Sequence, residues 1–207
     1  MLLPAKSVFS SPVITFTVGA AKTKFTLHSD AVANQSRILT DLMSECQKNG
    51  SACVNWEDVD EDTFVFFCQY LYDEQYVLKL DEKLDRMHHF ELEKRMLGQA
   101  RIYCFAHRYG VLELEDAAYA ALQRLIPHPE VVQTLPRLLK FCWDTNAPPA
   151  LHTLVFGRAI TKSLDLEFTK EFSDLLDKYQ GPEVSMLRDV AKGHKTKPKP
   201  RSAFDYD

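Results

Sequence analysis

Asp58, Asp60 and Asp62 alternate along the chain as the carboxylates of a calcium loop do, where every second residue turns an oxygen toward one hard cation. That loop needs glycine at its sixth position and glutamate at its twelfth, and the chain has Thr63 and Gln69 there. The three acids therefore read as the acidic first turn of a helix, where the helix dipole favours negative charge. His88 and His89, with Glu91 and Glu93, have helical spacing that can share a metal ion, but no second ligand cluster stands at a matching distance. They read as one solvated, charged helix face. His28 at a strand end and His107 at a helix end are expected to hydrogen-bond to backbone rather than to move protons. A nucleophile needs a base and an oriented setting; no GxSxG elbow occurs, and no cysteine adjoins a histidine or an evident helix start. The expectation is no enzyme, with no catalytic residue, no cofactor and no metal.

The same exclusions follow from spacing elsewhere. The seven glycines are never closer than twelve positions, so neither GxGxxG nor GxxxxGK[ST] can be written. The five cysteines, Cys46, Cys53, Cys68, Cys104 and Cys142, form no CxxC pair, which removes paired-cysteine zinc modules. An odd, scattered set suits a reducing compartment, so the expected location is cytoplasm, nucleus or both. Cys104 and Cys142 fall on expected buried faces. Met1 to Phe16 lacks a basic n-region, and Pro4 and Lys6 interrupt the apolar stretch, so a signal peptide is not expected. No apolar run approaches the roughly 18 residues of a membrane span. The formal charge of −4 combines an acidic body with a tail, Lys192 to Arg201, that holds five basic and no acidic side chains.

The elements that must position these residues are punctuated by proline. None occurs between Pro12 and Pro127, and that stretch reads as one cooperative unit. Ile14, Phe16 and Val18, then Phe25 and Leu27, alternate with polar residues around Gly19 to Thr23, which predicts a hairpin with one buried face. Ser29 or Asp30 is expected to cap a short helix through Gln35, and Ser36 a second helix with Ile38, Leu39, Leu42, Met43 and Cys46 on one face. Val54 and Trp56 predict a third strand, and Asp60 caps a helix carrying Phe64, Phe67, Cys68 and Leu71. Residues 77–97 read as an inserted, solvated charged segment. Two further helices follow: one carries Ile102, Phe105, Ala106 and Tyr109 and stops at Gly110; the other carries Leu114 to Leu125. Beyond Pro127 the pattern is helical: Leu138 to Trp143 with Pro136 at a first-turn position, Leu151 to Ile160, Phe168 to Tyr179 and Val184 to Ala191. The fold class is α/β (α+β), a small sheet capped by helices and followed by an all-helical extension. The divisions are an N-terminal arm 1–9, a domain 10–126, the extension 127–191 and a basic disordered tail 192–207.

Six segments in this order resemble the BTB/POZ domain family, and more narrowly the fungal BTB-domain proteins. They are Val13 to Gly19, Phe25-Thr26-Leu27-His28-Ser29, Gln35-Ser36, Val54 to Phe64, Tyr70-Leu71-Tyr72 with Tyr76, and Ala106-His107-Arg108-Tyr109-Gly110 with Leu112 and Leu114. Leu138 to Thr145 and Leu151 to Val155 are similar to the helical region that follows many fungal BTB domains. The resemblance implies a protein-interaction scaffold or adaptor that pairs with itself or with another BTB protein. It places the candidate partner-binding residues at Val32, Ile38, Leu42, Met43 and Glu45. Pro12 and Ser29 depart from the family, whose standard homodimers carry Asp and a basic residue at these positions. Met43-Ser44-Glu45 has the hydrophobic-x-acid form used by adaptors of cullin-type ubiquitin ligases but lies several residues early, so cullin binding is not favoured. Nucleic-acid binding through the tail is the rival reading; without interleaved aromatics before Phe204 it too is disfavoured, and no membrane role is expected.

Overall fold

The computed structural model describes residues 9–50, 53–73, 88–162, 165 and 170–195, with side chains described through Val190. Residues 1–8, 77–87 and 196–207, which carry most of the expected arm, charged segment and basic tail, lie outside the described residues. The chain divides into two compact units, Met1–His128 and Pro129–Asp207. Among the described residues there are three strands and nine helices, a small mixed sheet in a mostly helical chain. No described helix is long and apolar enough to cross a membrane.

In the first unit β1 (Val13–Val18) and β2 (Thr23–His28) form the expected antiparallel hairpin, with Val13 opposite His28 and Val18 opposite Thr23. The turn is made possible by Gly19 at φ 70°, where a Cβ would stand 3.2 Å from Cγ of Glu61. After two helices the chain returns as β3 (Cys53–Trp56), parallel to β1, giving the order β2-β1-β3. A parallel return needs a crossover, and α1 (Ser29–Ala33) with α2 (Arg37–Lys48) supplies it.

The helix ends show how local chemistry is met. Ser29 does not cap α1 but is its first residue, and Asp30 its second. His28 sits at the N-cap with no side-chain bond. The exposed amides of that first turn are taken up from upstream instead: Ser29 N–H donates to the Pro12 carbonyl at 2.8 Å and Asp30 N–H to Ser11 Oγ at 3.3 Å. Ser36 does cap α2, accepting from Leu39 N–H at 3.1 Å, and Asp60 caps α3 (Glu61–Tyr72), accepting from Thr63 N–H at 3.0 Å.

α4 (His89–Tyr109) takes in 88–97 as its N-cap and first turns, in line with the helical option for the charged segment, and corrects only the reading of that part as solvated. Leu92, Met96 and Ala100 are fully buried at i, i+4 and i+8, so an apolar stripe runs through the charged sequence. The helix ends at Gly110, φ 68°, with Val111 N–H bonded to the Ala106 carbonyl at 2.9 Å. α5 (Leu112–Leu125) follows at once. Beneath the sheet, Phe16, Trp56, Phe64, Phe67, Phe105 and Tyr109 form one aromatic cluster, with centroids of Trp56 and Tyr109 4.4 Å apart and of Phe67 and Phe105 4.9 Å apart. Each such pair contributes about 0.5–1.5 kcal/mol beyond area burial and ties β1 and β3 to α3 and α4.

The second unit holds α6 (Val131–Asp144), α7 (Pro149–Thr161), α8 (Lys170–Lys178) and α9 (Pro182–Lys195). Pro136 is not a first-turn residue: α6 starts five residues before it. Val131, Leu135, Leu138, Leu139 and Cys142 form a continuous buried stripe, and its burial outweighs the bond to the Val132 carbonyl that proline cannot make. α9 continues to Lys195, four residues into the stretch read as disordered tail.

Candidate functional site

The five sequence-predicted partner-binding residues do not form one surface. Val32 is fully buried and Met43 is only 2% exposed, so both are core side chains, a correction to their reading as contact residues. Met43 cannot serve as the apolar half of a hydrophobic-x-acid element without leaving the core. The residues left open to solvent are Ile38 at 50% exposure, Leu42, half-buried, and Glu45.

Ile38 marks a junction where helix ends meet. Ser36 Oγ donates to the Tyr109 carbonyl at 2.6 Å while capping α2, which docks the start of α2 on the end of α4. A Cβ on Gly110 would lie 3.4 Å from Cδ1 of Ile38, so the glycine lets the two backbones approach. Leu112, two residues on, is 69% exposed. Pro12 and Ser29 are bonded to each other through their backbones, and Ser29 is buried.

The chemistry-bearing side chains are dispersed or tied up. Asp58 pairs with Arg108, Asp60 is spent on its cap, and Asp62 is exposed in the first turn of α3, so the three carboxylates diverge. Glu91 accepts from Arg95 at 2.8 Å, and no group of three or more potential metal ligands assembles among the described residues. His28 does not bond to backbone through its ring: Nδ1 lies 3.1 Å from Oη of Tyr72. His107 Nδ1 lies 2.8 Å from Oε1 of Glu115, joining α4 to α5 by side chains rather than through the expected backbone bond. Burial pushes the Cys68 thiol up to about 11 and the Cys104 thiol up to about 12, which keeps both protonated and poorly nucleophilic.

Two hollows remain. In the second unit a cavity of about 460 Å³ lies beside Trp143, His152 and Glu183. Trp143 Nε1 donates to Glu183 Oε2 at 3.2 Å, and His152 Nδ1 stands 3.4 Å from Oε1, so one carboxylate links α6, α7 and α9. Asp144 takes hydrogen bonds from Lys140 and Tyr179, which lower its carboxyl below the usual range.

In the first unit a groove of about 490 Å³ runs between the start of α3 and α4. Phe66 and Ile102 contribute apolar wall, and Gly98 and Gln99 the α4 side. Gln99 is 4% exposed, yet its side-chain amide bonds to no described residue. Gly98 costs the helix about 1 kcal/mol relative to alanine, and a Cβ there would meet nothing within 4 Å. Lys94 and Arg101 also line this groove and have no acidic partner among the described residues. Of the α4 residues here, Lys94 falls in the segment read as 77–97, while Gly98, Gln99 and Arg101 fall between it and the helical pattern read from Ile102, although a glycine beside a helical pattern is a visible signal.

No family model, curated protein or solved structure matches the chain.

Proposed function

We propose that this chain is a non-enzymatic protein-interaction module, a scaffold or adaptor of the BTB/POZ kind, that meets a second copy or another BTB-like protein through the junction of α2, α4 and α5. The observation that carries this reading is the exposure of two large apolar side chains, Ile38 against Gly110 and Leu112 two residues after it in the chain. Isoleucine at the start of the Ser36-capped α2 and leucine at the start of α5 give a partner preformed apolar anchors, which is where interface energy concentrates. Leu42 and Glu45 extend the same helix as half-buried and polar neighbours. The side chains with acid–base or nucleophilic potential support the reading indirectly, since His28, His107 and Asp58 are engaged in holding elements together.

Light scattering on the full chain and on the double variant Ile38→Asp, Leu112→Asp tests this. The expected result is an oligomer, or a stable complex with a captured partner, that the double variant loses while its circular dichroism is unchanged. A monomer that captures no protein, or association indifferent to both substitutions, overturns it.

A further inference from the structure

We infer that Asn49 is a site of spontaneous covalent modification, at which the chain converts its own carboxamide to an aspartyl or isoaspartyl residue. Asn49 is the only one of the four asparagines followed by glycine; Gln35, Trp56 and Ala147 follow Asn34, Asn55 and Asn146. The reaction needs the backbone nitrogen of the next residue to reach the side-chain Cγ, and a Cβ on that residue crowds the approach. Gly50 has none, and a Cβ built there would meet nothing within 4 Å beyond its chain neighbours, so the nitrogen is unhindered. Asn49 and Gly50 are both exposed, which gives water and hydroxide access to the pair.

The chemistry balances between the chain and water. A base takes the Gly50 N–H proton, the nitrogen bonds to Asn49 Cγ, and the Cγ–Nδ2 bond breaks. Nδ2 takes up a proton and leaves as ammonia, and a five-membered succinimide ring remains. Water then adds to one of the two ring carbonyls and opens the ring. Addition at Cγ restores the original backbone with an aspartate side chain, whereas addition at the main-chain carbonyl leaves the backbone running through Cβ and Cγ, as isoaspartate.

The fold sets the rate. Asn49 is the C-cap of α2, with φ −82° and ψ 0°, and Gly50 N–H donates to the Gln47 carbonyl at 3.2 Å. Ring closure turns the Gly50 nitrogen onto the side-chain side of Asn49 and away from that carbonyl, so the last turn of α2 opens first. Helix ends open at little cost. Trp56 and Ala147 are instead held by burial, at 5% and 8% exposure. The product places a carboxylate at the negative end of the α2 dipole, and isoaspartate adds a methylene to the backbone between α2 and β3. None of this depends on the α2–α4–α5 junction.

The test incubates the full chain at mildly acid and mildly alkaline pH, folded and in denaturant. Peptide mapping by mass spectrometry with electron-transfer fragmentation then follows each asparagine. Conversion of the folded chain at Asn49, to both aspartate and isoaspartate, is expected, faster at alkaline pH and several-fold faster in denaturant, where the cap is gone. Asn49→Gln, which would need a six-membered ring, is expected to end the conversion. An Asn49 that keeps its amide in the folded chain overturns the assignment, whether or not the denatured chain converts. Faster conversion at Asn34, Asn55 or Asn146, a rate indifferent to pH, or conversion that persists in Asn49→Gln also overturns it.

Discussion

The groove between α3 and α4 and the cavity beside α6 have nearly the same volume, about 490 and about 460 Å³, but they differ in how their least exposed polar side chains are engaged. Around the cavity, Glu183 is bonded by Trp143 and faced by His152. That one carboxylate joins α6, α7 and α9. Along the groove, Gln99, Lys94 and Arg101 end in bonds that nothing described in the chain satisfies. Volume alone does not make two hollows alike; how their linings spend hydrogen-bonding capacity separates them. Thr134 sharpens the point, because its hydroxyl is sealed and without a partner, at 1% exposure, and it lines neither hollow. It is a cost with no outlet, whereas the Gln99 side chain lines the open groove.

The largest effect is expected where the groove meets the core. Phe67→Ala removes the ring that packs on Phe105 and anchors α3 to α4, and should cost about 3–5 kcal/mol in denaturant unfolding. An unchanged midpoint would mean that the groove's walls do not depend on the aromatic cluster.

Alkaline pH should separate the two units next. Burial raises Cys104, Tyr103 and Tyr109 to about 12 and Cys68 to about 11, and all four lie in the first unit. In the unfolded chain these groups ionise near their ordinary 9.0 and 10.0. The folded state thus holds protons that the unfolded state releases, so the stability they contribute is intact below about pH 9 and is lost as pH climbs toward 12. Each unit carries one tryptophan, Trp56 and Trp143. With Trp143→Phe, fluorescence of Trp56 should report a falling denaturation midpoint across that range; a flat midpoint would break the contrast.

Glu183→Ala should cost about 1–2 kcal/mol, since it strands the indole N–H of Trp143 and loosens α9. Thr134→Val should do the reverse, gaining about 1 kcal/mol by replacing a sealed hydroxyl with a methyl of the same shape. Smallest is Gln99→Met, expected to change stability by under ~1 kcal/mol because no internal bond is lost. If Gln99→Met destabilises as much as Glu183→Ala, the amide has an internal role and the two hollows are alike. Denaturant midpoints at constant slope decide all three.

Much of the framework was legible in the residues. Alternation at Ile14, Phe16 and Val18, the caps Ser36 and Asp60, and the stop at Gly110 are local effects, fixed by pleat period, orphan amides and left-handed backbone, and each stands where it was expected. The candidate site was much less legible. Ile38 could be named as exposed or buried only once α2 was set against Gly110, and Val32 and Met43 share its apolar character but lie inside. Pro136 misled because a local rule about proline competes with a stripe whose value depends on what covers it.

The sequence by itself determined the β1–β2 hairpin, the caps Ser36 and Asp60 and the stop at Gly110, because those depend on neighbours a few positions away. The parallel return of β3 beside β1, the burial of Leu92 and Met96 within a charged run, and the meeting of Gly98, Gln99, Lys94 and Arg101 in one groove were decided only by the tertiary structure. Burial and unsatisfied bonds are properties of what lies opposite a side chain, and residues distant in the chain supply that opposite face.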